Sequence, residues 1–484
     1  MKNPNVINID ITDELEVAKL RPDYGTPRVG YRQDAADEML AKILGTPNTE
    51  VLYEIKGTKY YVSVDGDDKN NGKSPEAPIK TLAAIHALPL QEGDAVLFKR
   101  GDIFRLGDTI EAVDGVTYGS YGEGAKPRIF GSPENYAENT SWVEVKPNIW
   151  AIDFDYPLAG GCILDHSKII GVQKYFDRFD GMAENGDYFH DEEEKKFYLY
   201  SVGKPNETWH DIEIMPNTSL FILRDSHHVT VDNLCLKYTA SFGVHAPDIK
   251  NNINITNCEF GFTGGRYNGG KTVRFGNAIE FWAGFPGMHM YDVKVENNWF
   301  YQTYDSAVTW QCHMYDTIYE NFSFSRNLFE YNNADIEFWG LTGCEVINYH
   351  MDENIMRFTS MGWGTRRNDG GIRGIEGCLL STTGYQERLL FIEKIYFRNN
   401  IIDCPARQII HWNTHPSDKK RMVISGNEVH VRTSYRTLEP LLQGLQDNLR
   451  KEERNQFIAY NKEEFFKLYE EKFERNAKLF WHEE

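Results

Sequence analysis

Between Leu234 and His430 the chain repeats one short phrase, an alternating apolar strand that ends at or beside asparagine and is followed by a second apolar strand. It reads VTVDNLCL at Val229–Leu236, INITNCEF at Ile253–Phe260, VKVENNWF at Val293–Phe300, FSFSRNLF at Phe322–Phe329 and IYFRNNII at Ile395–Ile402, with weaker copies ending at Asn354 and Asn427. Asn298, Asn327 and Asn354 stand about 27 to 29 residues apart, and Asn400 and Asn427 about 27 apart, the spacing of coils built from stacked parallel strands. A single coil cannot bury its apolar face alone, so the period dictates an all-β solenoid in which residues distant in sequence meet on neighbouring rungs.

Size and composition fit that reading. A chain of 484 residues would ordinarily divide into several domains, but a stack of coils absorbs several hundred residues in one body. The sequence has no run of about 18 apolar residues to span a bilayer, so no membrane contact is expected. The first ten residues, MKNPNVINID, lack the basic and apolar pattern of a secretory leader, and seven scattered cysteines without a CxxC pair suit a reducing cytoplasm. The expected localisation is cytoplasmic, with Cys235 and Cys258 as buried thiols at strand positions. A net charge of -20 repels polyanions, which argues against nucleic acid and against polyuronates without bridging cations.

Residues 1–55 read as a lead-in carrying a short amphipathic helix over Asp34–Leu44, residues 56–437 as the coiled domain, and 438–484 as a helical tail. In the tail, Asn461–Glu464 forms a capping box that opens a helix over Glu463–Phe473, placed to cover an open end or side of the stack. Phe189–Tyr200 reads as a hairpin with a charged turn. The succession of a strand at Tyr60–Val64, a turn-rich Asp65–Gly72, PIKTLAAIH at Pro78–His86, GDAVLFKRGD at Gly93–Asp102 and GSYGEGAKPR at Gly119–Arg128 resembles the opening coils of right-handed parallel β-helix proteins of the pectate-lyase-like superfamily. The resemblance runs from about Tyr60 to about Val431. It implies a right-handed parallel β-helix and carbohydrate handling, since that superfamily includes glycoside hydrolases, polysaccharide lyases, epimerases and tailspikes, and it names no single bond.

A second strand in each coil carries the chemistry: NAIEFW at Asn277–Trp282, SAVTWQ at Ser306–Gln311, ADIEFW at Ala334–Trp339 and RQIIHW at Arg407–Trp412. If Ile279, Val308 and Ile336 point inward, then Glu280, Thr309 and Glu337 point outward together with Trp282, Gln311 and Trp339. Strands lie about 4.8 Å apart, so Glu280 and Glu337, two rungs apart, have backbones about 9 to 10 Å apart. Inverting glycosidases hold an acid and a base about 6.5 to 9.5 Å apart, which makes these two the candidate pair, with Asp305 assisting or replacing one. Pairing of Asp305 with one glutamate at about 5 Å would favour a retaining mechanism instead. Three carboxylates in one cleft would leave at least one protonated near neutrality.

Trp282, Trp339 and Trp412, with Trp363 on a nearby loop, are the expected stacking surfaces for sugar rings, and Arg274, Gln311, Arg366 and Arg367 the expected hydrogen-bond donors. Trp310 and His411 fall in the inward phase, His313 and His415 in loops, and the repeated asparagines read as structural ladders. The Asp65–Gly72 loop has oxygen ligands that would suit calcium, although turn formation alone accounts for them; no cofactor is required. The expected partner is an oligosaccharide or polysaccharide substrate. Two rivals to a glycoside hydrolase follow: a lyase or epimerase acting on uronate sugars, which needs cationic neutralisation and a basic group, and a non-enzymatic carbohydrate-binding solenoid.

Overall fold

The computed structural model describes residues 30–432 and 462–482, apart from 166–167, 175–176, 268–273, 313, 315, 341–343, 361, 366–376, 384–389, 392, 406–407, 413–420 and 476. Three long sheets run along the stack, and every pairing within them is parallel. The first joins Thr230–Asp232, Asn251–Thr256, His289–Glu296, Ile318–Ser325 and Glu345–Asp352 among its strands. The second joins Cys235–Thr239, Glu259–Thr263, Trp299–Tyr301, Leu328–Glu330 and Ile355–Arg357; the third joins Val244–Pro247, Ile279–Ala283, Ser306–Cys312, Ala334–Gly340, Gly377–Thr383 and Gln408–Trp412. Each coil visits the first, second and third sheet in that order before returning to the first, and the crossover from strand to parallel strand is right-handed. The chain is a right-handed parallel β-helix, as the repeat and the resemblance led one to expect.

The asparagine phrase is the corner between the first and second sheets. Asn233, Asn257, Asn297 and Asn399 adopt left-handed backbone with φ of 54° to 60°, a conformation in which asparagine is several-fold enriched among L-residues. The residue after each corner points inward, and from Asn298 onward it is an asparagine that builds a ladder. Asn327 Oδ1 accepts from the Asn298 N–H at 2.9 Å, Asn354 Oδ1 from the Asn327 N–H at 2.9 Å, and Asn427 Oδ1 from the Asn400 N–H at 2.9 Å. Each fully buried amide also donates back to a strand carbonyl, as Asn327 Nδ2 does to Val295 O at 2.8 Å. Buried polar groups are tolerable here because each one is satisfied.

The interior is lined by alternate residues of all three sheets, among them Ile255, Phe260, Ile279, Val295, Phe300, Val308, Phe329 and Ile336. Phe260, Phe300 and Phe329 stack from rung to rung with centroids 4.9 and 5.1 Å apart. A helix α1 over Gln33–Leu44, one residue longer than expected, lays Ala36, Leu40 and Ile43 on the outer side of the second sheet against Tyr301, Leu328 and Ile355. The expected hairpin forms between Asp187–Asp191 and Lys196–Tyr200 within a five-stranded side sheet.

One expectation is corrected. The tail is not helical throughout: after a helix α2 over Lys462–Lys472 the chain turns back into a strand, Lys478–His482, which extends the second sheet by pairing in parallel with Glu428–Arg432. Glu474 between them ends the asparagine ladder, its carboxylate accepting from Asn427 Nδ2 at 2.9 Å. Cys235 and Cys258 are buried thiols as expected, while two other cysteines pair. Cys312 and Cys344 form a disulfide across neighbouring coils, a pairing that their separation of 32 residues hides until the coils are stacked; the other five form no disulfide and are buried.

In the Asp65–Gly72 loop, Asp67 accepts from the Lys69 N–H, the pattern of a turn, and Asp68 accepts from the Lys80 and Thr81 N–H groups, which ties the loop to the segment that follows. Among the described residues no group of three or more His, Cys, Asp or Glu is arranged to hold a metal ion, and no helix is long and apolar enough to cross a membrane.

Candidate active site

The register of the third sheet is the one read from the sequence for its central strands. Ile279 pairs with Val308 and Val308 with Ile336, so Glu280, Thr309 and Glu337 form one row across three rungs and Trp282, Gln311 and Trp339 form a second. The inward row is fully buried in the core, and alternation puts both other rows on the outer face. Glu337, Trp282, Gln311, Trp339 and Asp305 are half-buried there. Glu280 is not: it is 2% exposed.

Its carboxyl is held in a short polar line. Asn277 Nδ2 donates to Glu280 Oε2 at 2.9 Å, the Ser306 N–H donates to Asn277 Oδ1 at 3.0 Å, and Ser306 Oγ donates to Glu337 Oε2 at 2.9 Å. One amide and one hydroxyl thus link the two glutamates across the intervening rung, where Thr309 Oγ1 is buried without a hydrogen-bond partner among the described residues. Asp305 is fixed by its own backbone, its N–H donating to Gly276 O at 3.2 Å and its carbonyl accepting from the Ala334 N–H at 3.0 Å. Gly276 itself packs closely on the Gly264 backbone: its φ is +128°, and a Cβ there would lie 2.5 Å from Gly264 Cα.

Burial pushes the Glu280 carboxyl up to about 8, the charge of Arg266 and the Asn277 bond pull against this, and the charges of Glu337 and Asp305 reinforce it. At neutral pH Glu280 therefore carries a proton with two further carboxylates in its field. Burial outweighs the cationic neighbour, so the site can offer a proton where an isolated glutamate would not.

Two residues of this site carry no signal in the repeated phrase. His245 stands one rung before Glu280 in strict register, with Nε2 3.5 Å from Glu280 Oε1. Burial and the charges of Arg266 and Arg224 push its imidazole down to about 4, so it is neutral at neutral pH. Arg266 lies across the rings of Phe242 and Phe275 at 4.5 and 4.3 Å. The strand Val244–Pro247 has the same alternation as Ile279–Trp282, and aligning it would have brought His245 into the row.

Other expected residues lie elsewhere. Arg274 is 3% exposed and donates to Gly265 O at 2.9 Å and Gly160 O at 2.7 Å, joining the inserted sheets to the stack. Trp363 is likewise 3% exposed, with Nε1 donating to Gln302 O at 2.6 Å and its ring edge-on to Tyr304. Neither faces the row of acids, because both are taken up by the corner where the insertion packs. Trp412 is displaced by one position: Ile410, not Ile409, pairs with Leu379, which puts Trp412 in register with Ser381 and Phe338 and His411 in the row of Glu337. One slip in register exchanges the two faces. Arg366, Arg367, His313 and His415 lie outside the described residues.

A cleft of about 950 Å³ opens between α1 and the corner of the first and second sheets, lined by Met39, Lys42, Tyr53, Asn257, Lys294 and Arg326 among others. It contains none of the candidate catalytic or substrate-binding residues and mixes charges of both signs. The buried acid with a raised pKa lies on the third sheet instead.

No protein-family model and no curated protein matches the chain. Among solved structures, it is similar to a GH136 lacto-N-biosidase from Eubacterium ramulus, at 14% identity over 78% of this chain with a TM-score of 0.36. The chain spans 65% of the length of that enzyme. A structure described as a glycoside hydrolase matches at 9% identity over 78% of this chain and 93% of the other, with a TM-score of 0.44. A rhamnogalacturonan lyase matches at 11% over 77% and 74%, with a TM-score of 0.36.

Proposed function

We propose that this protein is a glycoside hydrolase acting on an oligosaccharide, with Glu280 as the general acid and Glu337 as the carboxylate that activates water. Asp305 adds negative charge beside them, which favours an oxocarbenium-like transition state, and Trp282 and Trp339 offer apolar faces to sugar rings. The observation that carries this reading is the buried, protonated Glu280 tied through Asn277 and Ser306 to a second, half-buried glutamate. An acid that keeps its proton at neutral pH beside a carboxylate on the same wall is what acid-assisted cleavage of a glycosidic bond requires.

The test is a reducing-end assay over an oligosaccharide panel with Glu280→Gln and Glu337→Gln as controls. Turnover is expected to fall by about 10²- to 10⁴-fold in each while sugar binding is retained. Unchanged turnover in both variants rejects the assignment and leaves a carbohydrate-binding solenoid. A uronate-directed lyase is the second reading, favoured by one observation: Arg266 places a cationic group in the field of Glu280. Absorbance from an unsaturated uronate product separates it from hydrolysis.

A further inference from the structure

An acid that gives up a proton in every turnover must regain one, and Glu280 is sealed from bulk water at 2% exposure. The groups around its carboxyl differ in what they can pass on. Asn277 Nδ2 donates to Oε2 at 2.9 Å, but an amide does not release its proton, and the Arg266 guanidinium does not titrate in proteins. Asp305 and Glu337 act on it through their charge. His245 is different in kind. Its ring has one nitrogen that donates and one that accepts, its Nε2 lies 3.5 Å from Glu280 Oε1, and its side chain is 22% exposed. The approach is at the outer limit of hydrogen-bond reach, as is common before substrate draws such groups together. The rung register and the Phe242 ring at 4.8 Å hold the imidazole in place.

We propose that His245 is a positioning residue that relays protons between solvent and the sealed Glu280 carboxyl, an inference that rests on Glu280 acting as an acid. After the leaving group has departed with the proton of Glu280, the neutral imidazole gives its Nε2 proton to the Glu280 carboxylate and takes one from water at Nδ1. The hydroxide left behind is neutralised by the proton that Glu337 acquired from the attacking water. The ring then carries its proton on Nδ1 and returns to the starting tautomer by exchange with solvent. The charges of Arg266 and Arg224 both oppose a stored positive charge on this ring, so protons pass through without the imidazolium accumulating.

The experiment requires no substrate. At pH 6, the infrared band of the protonated Glu280 carboxyl is identified as the one lost in Glu280→Gln, and its deuterium exchange is timed after transfer to heavy water. In His245→Gln, which keeps a polar amide beside Glu280, exchange of that band should slow by about 10²-fold. The buried carboxyls of Glu213 and Asp335, both pushed up to about 7, report on fold integrity and should exchange as in the unaltered chain. In His245→Ala, added imidazole should restore fast exchange. Unaltered exchange in His245→Gln, or slow exchange that imidazole fails to restore, overturns the relay. Failure of the hydrolase reading registers separately, as turnover that survives Glu280→Gln and Glu337→Gln.

Discussion

Replacing Glu280 with Gln should cost the protein its turnover and make it more stable, by an amount that depends on pH. The unfolded chain titrates this carboxyl near 4.5, whereas burial in the folded state pushes it up to about 8. Between those values the folded protein binds the extra proton, so stability contributed by Glu280 is fully present below about pH 4.5, falls as pH rises, and is lost above about pH 8. A gap of about 3.5 at about 1.36 kcal/mol per unit puts the penalty for the ionised group on the order of 5 kcal/mol. Gln is uncharged at every pH and can still accept from Asn277, so the variant escapes the penalty. With about 2.1 cal/mol/K of unfolding entropy per residue, the 484-residue chain should melt about 5 °C higher than the unaltered protein at pH 9 and within about 1 °C of it at pH 5. The shifted groups Glu213 and Asp335 are common to both proteins and cancel in the difference. Melting curves by scanning calorimetry from pH 5 to pH 9 make the comparison. A difference that stays flat across this range, or reverses sign, would show that Glu280 is ionised at neutrality and remove the acid from the mechanism.

Three further outcomes follow from specific contacts. Trp339→Ala should weaken oligosaccharide binding by about tenfold in Kd, or 1.4 kcal/mol, with little change in melting temperature, as calorimetric titration would read. Trp363→Ala, at a buried position away from the row of acids, should instead destabilise the fold by about 3–5 kcal/mol in denaturant unfolding. Asn327→Ala removes the acceptor of the Asn298 N–H and a donor to Val295 O, and should cost about 2–4 kcal/mol in the same measurement. An Asn327→Ala protein as stable as its parent would mean that the asparagine ladder is decorative.

What the sequence disclosed and what it withheld separate along one physical line. The face on which a strand residue points is set locally by alternation, and so the row Glu280, Thr309, Glu337 and the row Trp282, Gln311, Trp339 were legible. Local alternation fails where it is ambiguous: Ile409 and Ile410 are both fully buried, either serves as the inward anchor, and the slip put Trp412 in the register of Phe338 rather than of Trp339. Whether an outward residue is open to water is a different matter, because it depends on what the connections between strands do. The ladder step from Cys258 to Asn298 is 40 residues, against 29 from Asn298 to Asn327 and 27 from Asn327 to Asn354. The excess lies largely between Thr263 and Ile279, where Arg266–Tyr267 and Arg274–Phe275 pair as a small hairpin that brings Arg266 over Phe242 and Phe275 and into the field of Glu280. In the next coil, Tyr301 passes to Ser306 by a short turn. The unequal coil length is visible in the sequence, and the two glutamates of one row differ with it: the one whose coil carries the hairpin is buried and protonated, while its counterpart two rungs on is half-buried.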